Sequence, residues 1–138
     1  MRLLKYSFDG ILYKGYSLKE KWVVEYTDEF GLWWHGLVEE EQVSIAASVQ
    51  LLEERGVDLG HPHCSGINSS KHSHMREIRT QHRGRPFRTL YAFDSRRIAI
   101  LLIAGDKTGI DRWYEINVPL ADQLYDEHLE QIRLEGKS

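Results

Sequence analysis

The sequence has little of what stabilises secreted proteins or anchors membrane proteins. Among 138 residues there is one cysteine, Cys64, which excludes an internal disulfide. The longest uninterrupted apolar run extends from Ile98 to Ala104, whereas a membrane-spanning helix needs ~20 apolar residues. The opening residues MRLLKYSFDG also lack the apolar stretch of a secretory signal. We therefore expect a cytoplasmic protein without a membrane partner.

The composition is that of one folded domain with an uneven charge distribution. Hydrophobic residues make up 41% and charged residues 28% of the chain, as in soluble globular proteins. A chain of this length buries enough surface to fold without disulfides. The net charge is −3, but acidic residues concentrate in 39–58 and 111–138 and leave the middle of the chain basic. The mildly acidic net charge therefore does not exclude a nucleic acid as the partner of this protein.

Hydrophobic periodicity predicts an α+β fold. The predicted elements are a strand at 22–26, a helix between Thr27 and Gly36, a second helix at 39–54, strands at 75–81, 87–93 and 98–104, and a helix at 119–133. The first helix and the second, whose apolar seam is Val38, Ile45, Val49 and Leu52, form an α-hairpin after the N-terminal strand. A three-stranded antiparallel sheet and the C-terminal helix follow, with the helices on one face.

Three local features refine this prediction. The strand at 98–104 is continuously apolar, which places it at the centre of the sheet, covered on both faces. Residues 57–73 are rich in Gly, Pro, Ser, Asn and His, which is typical of a long loop. Pro119 suits the first turn of a helix but would kink a longer one, so we expect the last helix to begin near it.

A basic cluster lies where two of the strands should turn. Between Lys71 and Arg88 there are six Lys or Arg residues against one acid, Glu77, a balance of +5. Such a concentration predicts a surface that binds a polyanion. The arginines of the cluster are Arg76, Arg79, Arg83, Arg85 and Arg88. The alternative is a solvated hairpin whose arginines form surface ion pairs.

Four histidines and the single cysteine fall in the predicted loop. They form the segments HPHC at 61–64 and HSH at 72–74. His and Cys residues at short spacing bind zinc in some proteins, but this spacing is not that of a standard finger. We therefore predict neither a metal nor another cofactor. Lys71, His72 and His74 are instead expected to contact a phosphate backbone, which predicts salt-sensitive binding.

The order of segments resembles a known toxin family. The segments WVVEYTDEF, FRTLYAFD, GDKTG and RWYE resemble the HigB-like, phage-derived branch of the RelE/ParE toxin superfamily. The resemblance covers about 21–135. It divides the chain into an N-terminal extension of unknown role, 1–20, and a toxin domain, 21–138.

The resemblance implies both an activity and partners. It implies the toxin of a type II toxin–antitoxin pair with a RelE-like fold, which cleaves mRNA on the translating ribosome and arrests growth. It also implies a cognate antitoxin, expected to carry a helix-turn-helix domain, whose acidic segment would mask the basic surface. The alternatives are a non-catalytic ParE-like inhibitor of DNA gyrase or another protein, and a non-toxic RNA-binding module, because fold alone does not settle activity.

The resemblance also implies which residues carry the chemistry. Arg79, Arg88, Lys107 and Tyr114 stand at positions that match the family's pattern. Arg88 is the leading candidate for stabilising the phosphate, since a guanidinium offers bidentate hydrogen bonds, and Arg79 and Lys107 would support it. The residues expected to contact the RNA backbone are Lys71, Arg76, Arg83, Arg85 and Arg112.

The acid and the base of the reaction stay open at this point. His82 is the nearby side chain whose ordinary pKa lies close to neutrality, so it is a candidate for either role. Tyr114 or a lysine with a lowered pKa is the rival candidate. Glu77 departs from the family's pattern, in which ribosome-dependent relatives often carry a lysine. Its carboxylate is either a base, a sign of weaker activity, or the partner of a neighbouring arginine.

Overall fold

In the residues that the structure describes, the fold is a mixed β-sheet enclosed between three helices. The computed structural model describes residues 6–7 and 21–136, so most of the predicted extension lies outside the described residues. The strands are β1 (Tyr6–Ser7), β2 (Val24–Tyr26), β3 (Cys64–Gly66), β4 (Arg76–His82), β5 (Arg85–Phe93) and β6 (Ala99–Asp106). The helices are α1 (Asp28–His35), α2 (Glu39–Arg55) and α3 (Trp113–Leu134), with a short 3₁₀ turn at Gly56–Asp58.

The sheet contains more strands than the sequence predicted. Its order is β1-β2-β6-β5-β4-β3, and β4, β5 and β6 form the expected antiparallel meander. The α+β class is therefore confirmed, but the expected three-stranded antiparallel sheet is wrong. On one side β2 pairs with β6 in parallel, and on the other β3 pairs with β4. A three-residue strand inside a Gly- and His-rich segment carries too short a pattern to be detected.

Helices cover both faces of the sheet, so the expectation that they share one face is wrong. On β6, the side chain of Leu101 packs against α1 and α2, whereas those of its neighbours Ile100 and Leu102 pack against α3. Alternate residues of a strand point to opposite faces. The continuously apolar β6 is therefore buried on both sides, as its sequence predicted.

The α-hairpin begins and ends at residues with identifiable roles. Thr27 caps α1: its hydroxyl accepts from Phe30 N at 3.1 Å and donates to the carbonyl of Leu102 at 2.7 Å. Such a cap stabilises a helix by about 1 kcal/mol. Gly36 ends α1 as predicted. Val38 was expected on the apolar seam of α2 but is 61% exposed, because it is the N-cap residue and precedes the helix.

The last helix begins six residues earlier than predicted. It starts at Trp113 and continues through Pro119 to Leu134. Proline in a helix removes the hydrogen bond to the carbonyl four residues before it. Here that carbonyl belongs to Glu115, and both Pro119 and Glu115 lie on the exposed side of α3, where an unpaired carbonyl costs little. The earlier start places Tyr114 in the first turn of α3.

Candidate active site

A buried carboxylate lies at the centre of the predicted basic cluster. The side chain of Glu77, on β4, is 4% exposed. Ser65 Oγ donates a hydrogen bond to its Oε2 at 2.9 Å, and the Tyr114 hydroxyl donates to its Oε1 at 2.6 Å. Arg79 Nε lies 3.3 Å from Oε2 and Arg88 Nε lies 3.6 Å from Oε1. Each carboxylate oxygen therefore faces one hydroxyl and one guanidinium group.

The register of the sheet brings the two arginines together. Arg79 on β4 is directly opposite Arg88 on β5. Because alternate residues share a face, Arg79 lies on the same side of β4 as Glu77, and both face α3. The guanidinium groups of adjacent arginines repel each other, and the carboxylate between them offsets that repulsion.

A glycine on the neighbouring strand allows α3 to approach the site. Gly105 on β6 pairs with Arg88, and a Cβ atom there would lie 2.9 Å from Trp113 Nε1. A larger residue would therefore push the start of α3 away from the sheet. With glycine in this place the Trp113 ring packs over β6 and the adjacent Tyr114 reaches Glu77.

Lys107 adds a second positive group beside the tyrosine. It follows β6, and its Nζ lies 5.7 Å from the centroid of the Tyr114 ring. Within the described residues no carboxylate lies within ion-pair distance of this ammonium group. The site thus holds three positive side chains, Arg79 and Arg88 next to Glu77 and Lys107 next to Tyr114, and one negative charge, that of Glu77. The site carries a net charge of about +2, which suits a phosphate.

The environment of Tyr114 determines its protonation. Burial raises the pKa of the Tyr114 hydroxyl above its ordinary value, and the hydrogen bond to Glu77 raises it further. Arg88 opposes this shift only partly. The tyrosine is therefore neutral near pH 7 and directs its proton at the carboxylate.

The two arginines also line an open cleft of about 540 Å³. The cleft runs along the edge of β4, between α2 and the segment that contains the cis His61–Pro62 peptide bond. Its lining consists of Ser44, Ala47, Ser48, Pro62, His63, Arg79, Thr80, Gln81 and Arg88. Small and hydroxyl side chains form the wall on α2. Through this cleft solvent reaches the two guanidinium groups.

His82 and Arg76 lie on the opposite face of the sheet from Glu77. His82 Nδ1 is 2.6 Å from Ser44 Oγ on α2. The Arg76 guanidinium donates to the buried Cys64 Sγ at 3.1 Å and contacts the Leu59 carbonyl. Neither predicted residue is brought together with the tyrosine and the other arginines.

The turn of the β4–β5 hairpin contacts the acidic first turn of α2 through ion pairs. Arg83 and Gly84 both have positive φ, 50° and 78°, which is typical of a two-residue type I′ turn. Arg83 forms an ion pair with Glu40. Arg85 forms one with Glu41 and lies 3.4 Å from a carboxylate oxygen of Asp106. Arg83 and Arg85, which were predicted to contact RNA, are therefore paired with carboxylates of the protein.

The remaining predicted RNA contacts are also paired. Lys71 forms an ion pair with Asp126 of α3, and the exposed Arg112 lies 3.1 Å from Glu115.

The histidine loop is docked on α3 rather than grouped as metal ligands. His72 Nε2 lies 2.8 Å from the same carboxylate, that of Asp126, and His74 Nε2 lies 2.8 Å from the Tyr125 hydroxyl. Cys64 is buried on β3 and donates to a backbone carbonyl. In 6–7 and 21–136 no group of three or more His, Cys, Asp or Glu residues is arranged to hold a metal ion.

The sequence did not indicate one member of the site, Ser65. It lies on β3, which was not predicted, so nothing indicated that it would face Glu77 across the register of the sheet. Glu77 was expected either as a base or as the partner of a neighbouring arginine; its ion pairs with Arg79 and Arg88 confirm the pairing, whereas its hydrogen bond from Tyr114 was not predicted. The single acid in a run of bases was the available signal.

The fold and the site define a small α+β domain with a partly buried basic site suited to a phosphate. The chain belongs to the family described as phage-derived protein Gp49-like (DUF891), whose model matches residues 32–126. That range extends from α1 to α3 and contains the residues that form the site, here called the Glu77 cluster: Ser65, Glu77, Arg79, Arg88, Lys107 and Tyr114. Across 6–7 and 21–136, no helix is long and apolar enough to cross a membrane.

Two proteins of Mycobacterium tuberculosis strain H37Rv are similar to the chain. "Putative toxin HigB2" is 38% identical over 106 residues, which are 75% of this chain but only 53% of that protein. The chain thus spans about half the length of this relative. "Putative toxin HigB3" is 41% identical over 92 residues, which are 66% of this chain and 79% of that protein. These matches confirm the predicted resemblance to HigB-like toxins.

Proposed function

We propose that the chain is the toxin of a type II toxin–antitoxin pair, with a RelE-like fold, and that it cleaves mRNA on the translating ribosome without a metal ion. Membership of the phage-derived family and similarity to two proteins named as HigB toxins support the toxin assignment. The ribonuclease assignment is supported by the site itself.

The observation that carries the proposal is the convergence of Arg79, Arg88 and Tyr114 on one carboxylate, with Lys107 beside the tyrosine. Cleavage of RNA needs positive charge at a phosphate that becomes more negative in the transition state. It also needs groups that move protons from the 2′-hydroxyl and to the leaving 5′-oxygen. Two guanidinium groups supply the charge, while a phenol and an ammonium group lie beside them.

The proposed reaction uses these groups in sequence. Arg88 and Arg79 bind the oxygens of the scissile phosphate, and the 2′-oxygen attacks the phosphorus. The bond from phosphorus to the 5′-oxygen then breaks, and Lys107 donates a proton to that oxygen. The products are a 2′,3′-cyclic phosphate and a 5′-hydroxyl end. His82 takes no part in this scheme, because its ring is hydrogen-bonded to Ser44 on the other face of the sheet.

The same surface is the proposed contact of the antitoxin. An acidic segment laid over Arg79, Arg88 and Lys107 would neutralise their charge and close the cleft. We therefore expect a small antitoxin, with a helix-turn-helix domain, encoded beside this chain. Co-expression of the neighbouring reading frame should relieve toxicity and yield a complex, and failure of both neighbouring frames to do either would contradict this part of the proposal.

The ribonuclease proposal is tested by inducing the chain in cells and mapping mRNA ends by primer extension. New cuts that follow the reading frame should appear with the wild type and disappear with Arg88→Ala. Growth arrest with intact transcripts would contradict ribonuclease activity while leaving the toxin assignment in place.

A further inference from the structure

We propose that Glu77 is a positioning residue that receives the proton of Tyr114 during cleavage, so that the buried carboxylate and the tyrosine hydroxyl together act as the base for the RNA 2′-hydroxyl. This inference rests on the proposed ribonuclease function. It assigns to the residue that departs from the family's pattern a task that no arginine of the cluster can perform.

The direction of one hydrogen bond is the first support. The Tyr114 hydroxyl donates to Glu77 Oε1 at 2.6 Å, so its proton points into the protein. The lone pairs of the same oxygen are left to accept a proton from another group. Tyr114 is partly exposed, whereas the Glu77 side chain is 4% exposed. The tyrosine therefore offers a partly exposed hydroxyl through which a substrate can exchange a proton with the buried carboxylate.

The fixed orientation of the carboxylate is the second support. Ser65 Oγ and Arg79 Nε both face Oε2, at 2.9 and 3.3 Å, whereas Oε1 accepts from the tyrosine hydroxyl at 2.6 Å and lies 3.6 Å from Arg88 Nε. A carboxylate held at one oxygen by two donors keeps the other oxygen in place as the acceptor. The raised pKa of Tyr114, which burial and this hydrogen bond produce, keeps the proton on the phenol until the reaction begins.

The proton transfers balance within the site. The 2′-hydroxyl gives its proton to the Tyr114 oxygen, while Tyr114 gives its own proton to Glu77 Oε1. The 2′-oxygen bonds to phosphorus, and the 5′-oxygen leaves with a proton from Lys107. After product release, Glu77 returns its proton through Tyr114 to water, and Lys107 takes a proton from water.

A purely electrostatic role for Glu77 makes a different prediction. Replacing the carboxylate by an amide raises the charge of the site from about +2 to about +3, which strengthens the binding of RNA phosphate. If Glu77 only paired with the arginines, Glu77→Gln would therefore bind RNA more tightly and cleave it at least as fast. If Glu77 accepts the proton, binding still tightens but turnover falls.

The test measures kcat and KM of the purified full-length chain on mRNA engaged with translating ribosomes. We expect Glu77→Gln to lower kcat by ~100-fold, the usual contribution of a general base, with KM unchanged or lower. Tyr114→Phe should lower kcat similarly, and the double variant should be no slower than the slower single variant, because both act in one proton path. Glu53→Gln is the matched control, since Glu53 is a glutamate of α2 that is also buried, at 4% exposure.

Ser65→Ala keeps the carboxylate and both arginines, so it tests the idea even if Glu77→Gln folds poorly. It should lower kcat by ~10-fold through loss of one hydrogen bond to the carboxylate. A kcat of Glu77→Gln within twofold of wild type would overturn the inference, as would additive losses in the double variant. A rise in KM that accompanies the loss of kcat and of thermal stability would also overturn it, since that is a structural defect. Absence of cleavage by the wild type would instead overturn the ribonuclease proposal itself.

Discussion

Two buried carboxylates lie near opposite ends of α3, and their surroundings differ. Asp94 accepts from Arg96 at 2.7 Å and from His128 Nε2 at 2.9 Å, and both carboxylate and imidazole side chains are fully buried. Burial alone would raise the pKa of Asp94, but the hydrogen bonds from His128 and Arg96 overcome this and lower it to about 2. Glu77, near the start of α3, has hydroxyl partners and two arginines.

The difference lies in which partners reach solvent and in the balance of charge. Arg96 also binds Glu25 at 3.0 Å, so two carboxylates share one guanidinium group and the Asp94 cluster does not attract anions. Around Glu77 the positive groups outnumber the carboxylate, and Arg79 is 42% exposed. The comparison indicates that the charges of the Asp94 cluster are balanced within the fold, whereas the Glu77 cluster keeps an excess of positive charge that solvent reaches, as the proposed active site requires.

Of the single changes considered, Asp94→Asn should have the largest effect. It should lower the free energy of unfolding and leave the cleavage rate unchanged. The change removes the buried charge that faces His128 and one of the two carboxylates that bind Arg96, and breaking a buried pair typically costs about 3 to 5 kcal/mol. We expect urea denaturation to show such a loss, while the protein that remains folded cleaves RNA at the wild-type rate. Lost activity without lost stability would contradict the division between the two clusters.

Arg88→Ala should have the next largest effect, on activity. Loss of one donor to a developing negative charge lowers the rate by about 10² to 10³, or roughly 2.7 to 4 kcal/mol in activation free energy. Steady-state kinetics would measure kcat/KM for this variant. Arg133→Ala is the control, because Arg133 is exposed on α3 and pairs with Glu130 far from the site.

Acid should destabilise the protein through Asp94 by a smaller amount. The pKa of this carboxyl falls from its ordinary value of 3.8 to about 2 on folding, which is about 2 kcal/mol of stability. Because the folded pKa is the lower one, this stability is present above pH ~4 and is lost as the pH falls towards 2. Unfolding free energies measured across that range should fall more steeply for wild type than for Asp94→Asn.

Arg83→Ala should have the smallest effect. Its partner Glu40 and its own side chain are both largely exposed, and such ion pairs contribute less than about 1 kcal/mol. Because Arg83 is already paired, the salt dependence of RNA binding should stay the same. If the slope of log binding constant against log salt concentration fell by about one, Arg83 would instead contact a phosphate, as the sequence predicted.

Local patterns in the sequence were enough to predict the two strands that carry Arg79 and Arg88. The arginines themselves were singled out by the resemblance, and the observed register places them opposite each other. The turn between their strands was also expected. These features depend on residues that lie close together in the chain, where periodicity and turn residues are informative.

Contacts between distant segments could not be predicted in the same way. The hydrogen bond from Tyr114 to Glu77 joins residues 37 positions apart, and it needs α3 to begin before Pro119. The ion pairs of Arg83 and Arg85 depend on how α2 packs on the sheet. A charge pattern reveals that arginines are present, but only packing shows which of them already have partners.

The most direct test of the central claim is the chemistry of the RNA ends made by the purified chain on translating ribosomes. Attack by the 2′-oxygen predicts a 5′-hydroxyl on each downstream fragment and a 2′,3′-cyclic phosphate on each upstream fragment, with neither formed by Arg88→Ala. Fragments with 5′-phosphate ends, or equal cleavage by Arg88→Ala, would contradict the assignment of the Glu77 cluster as the active site.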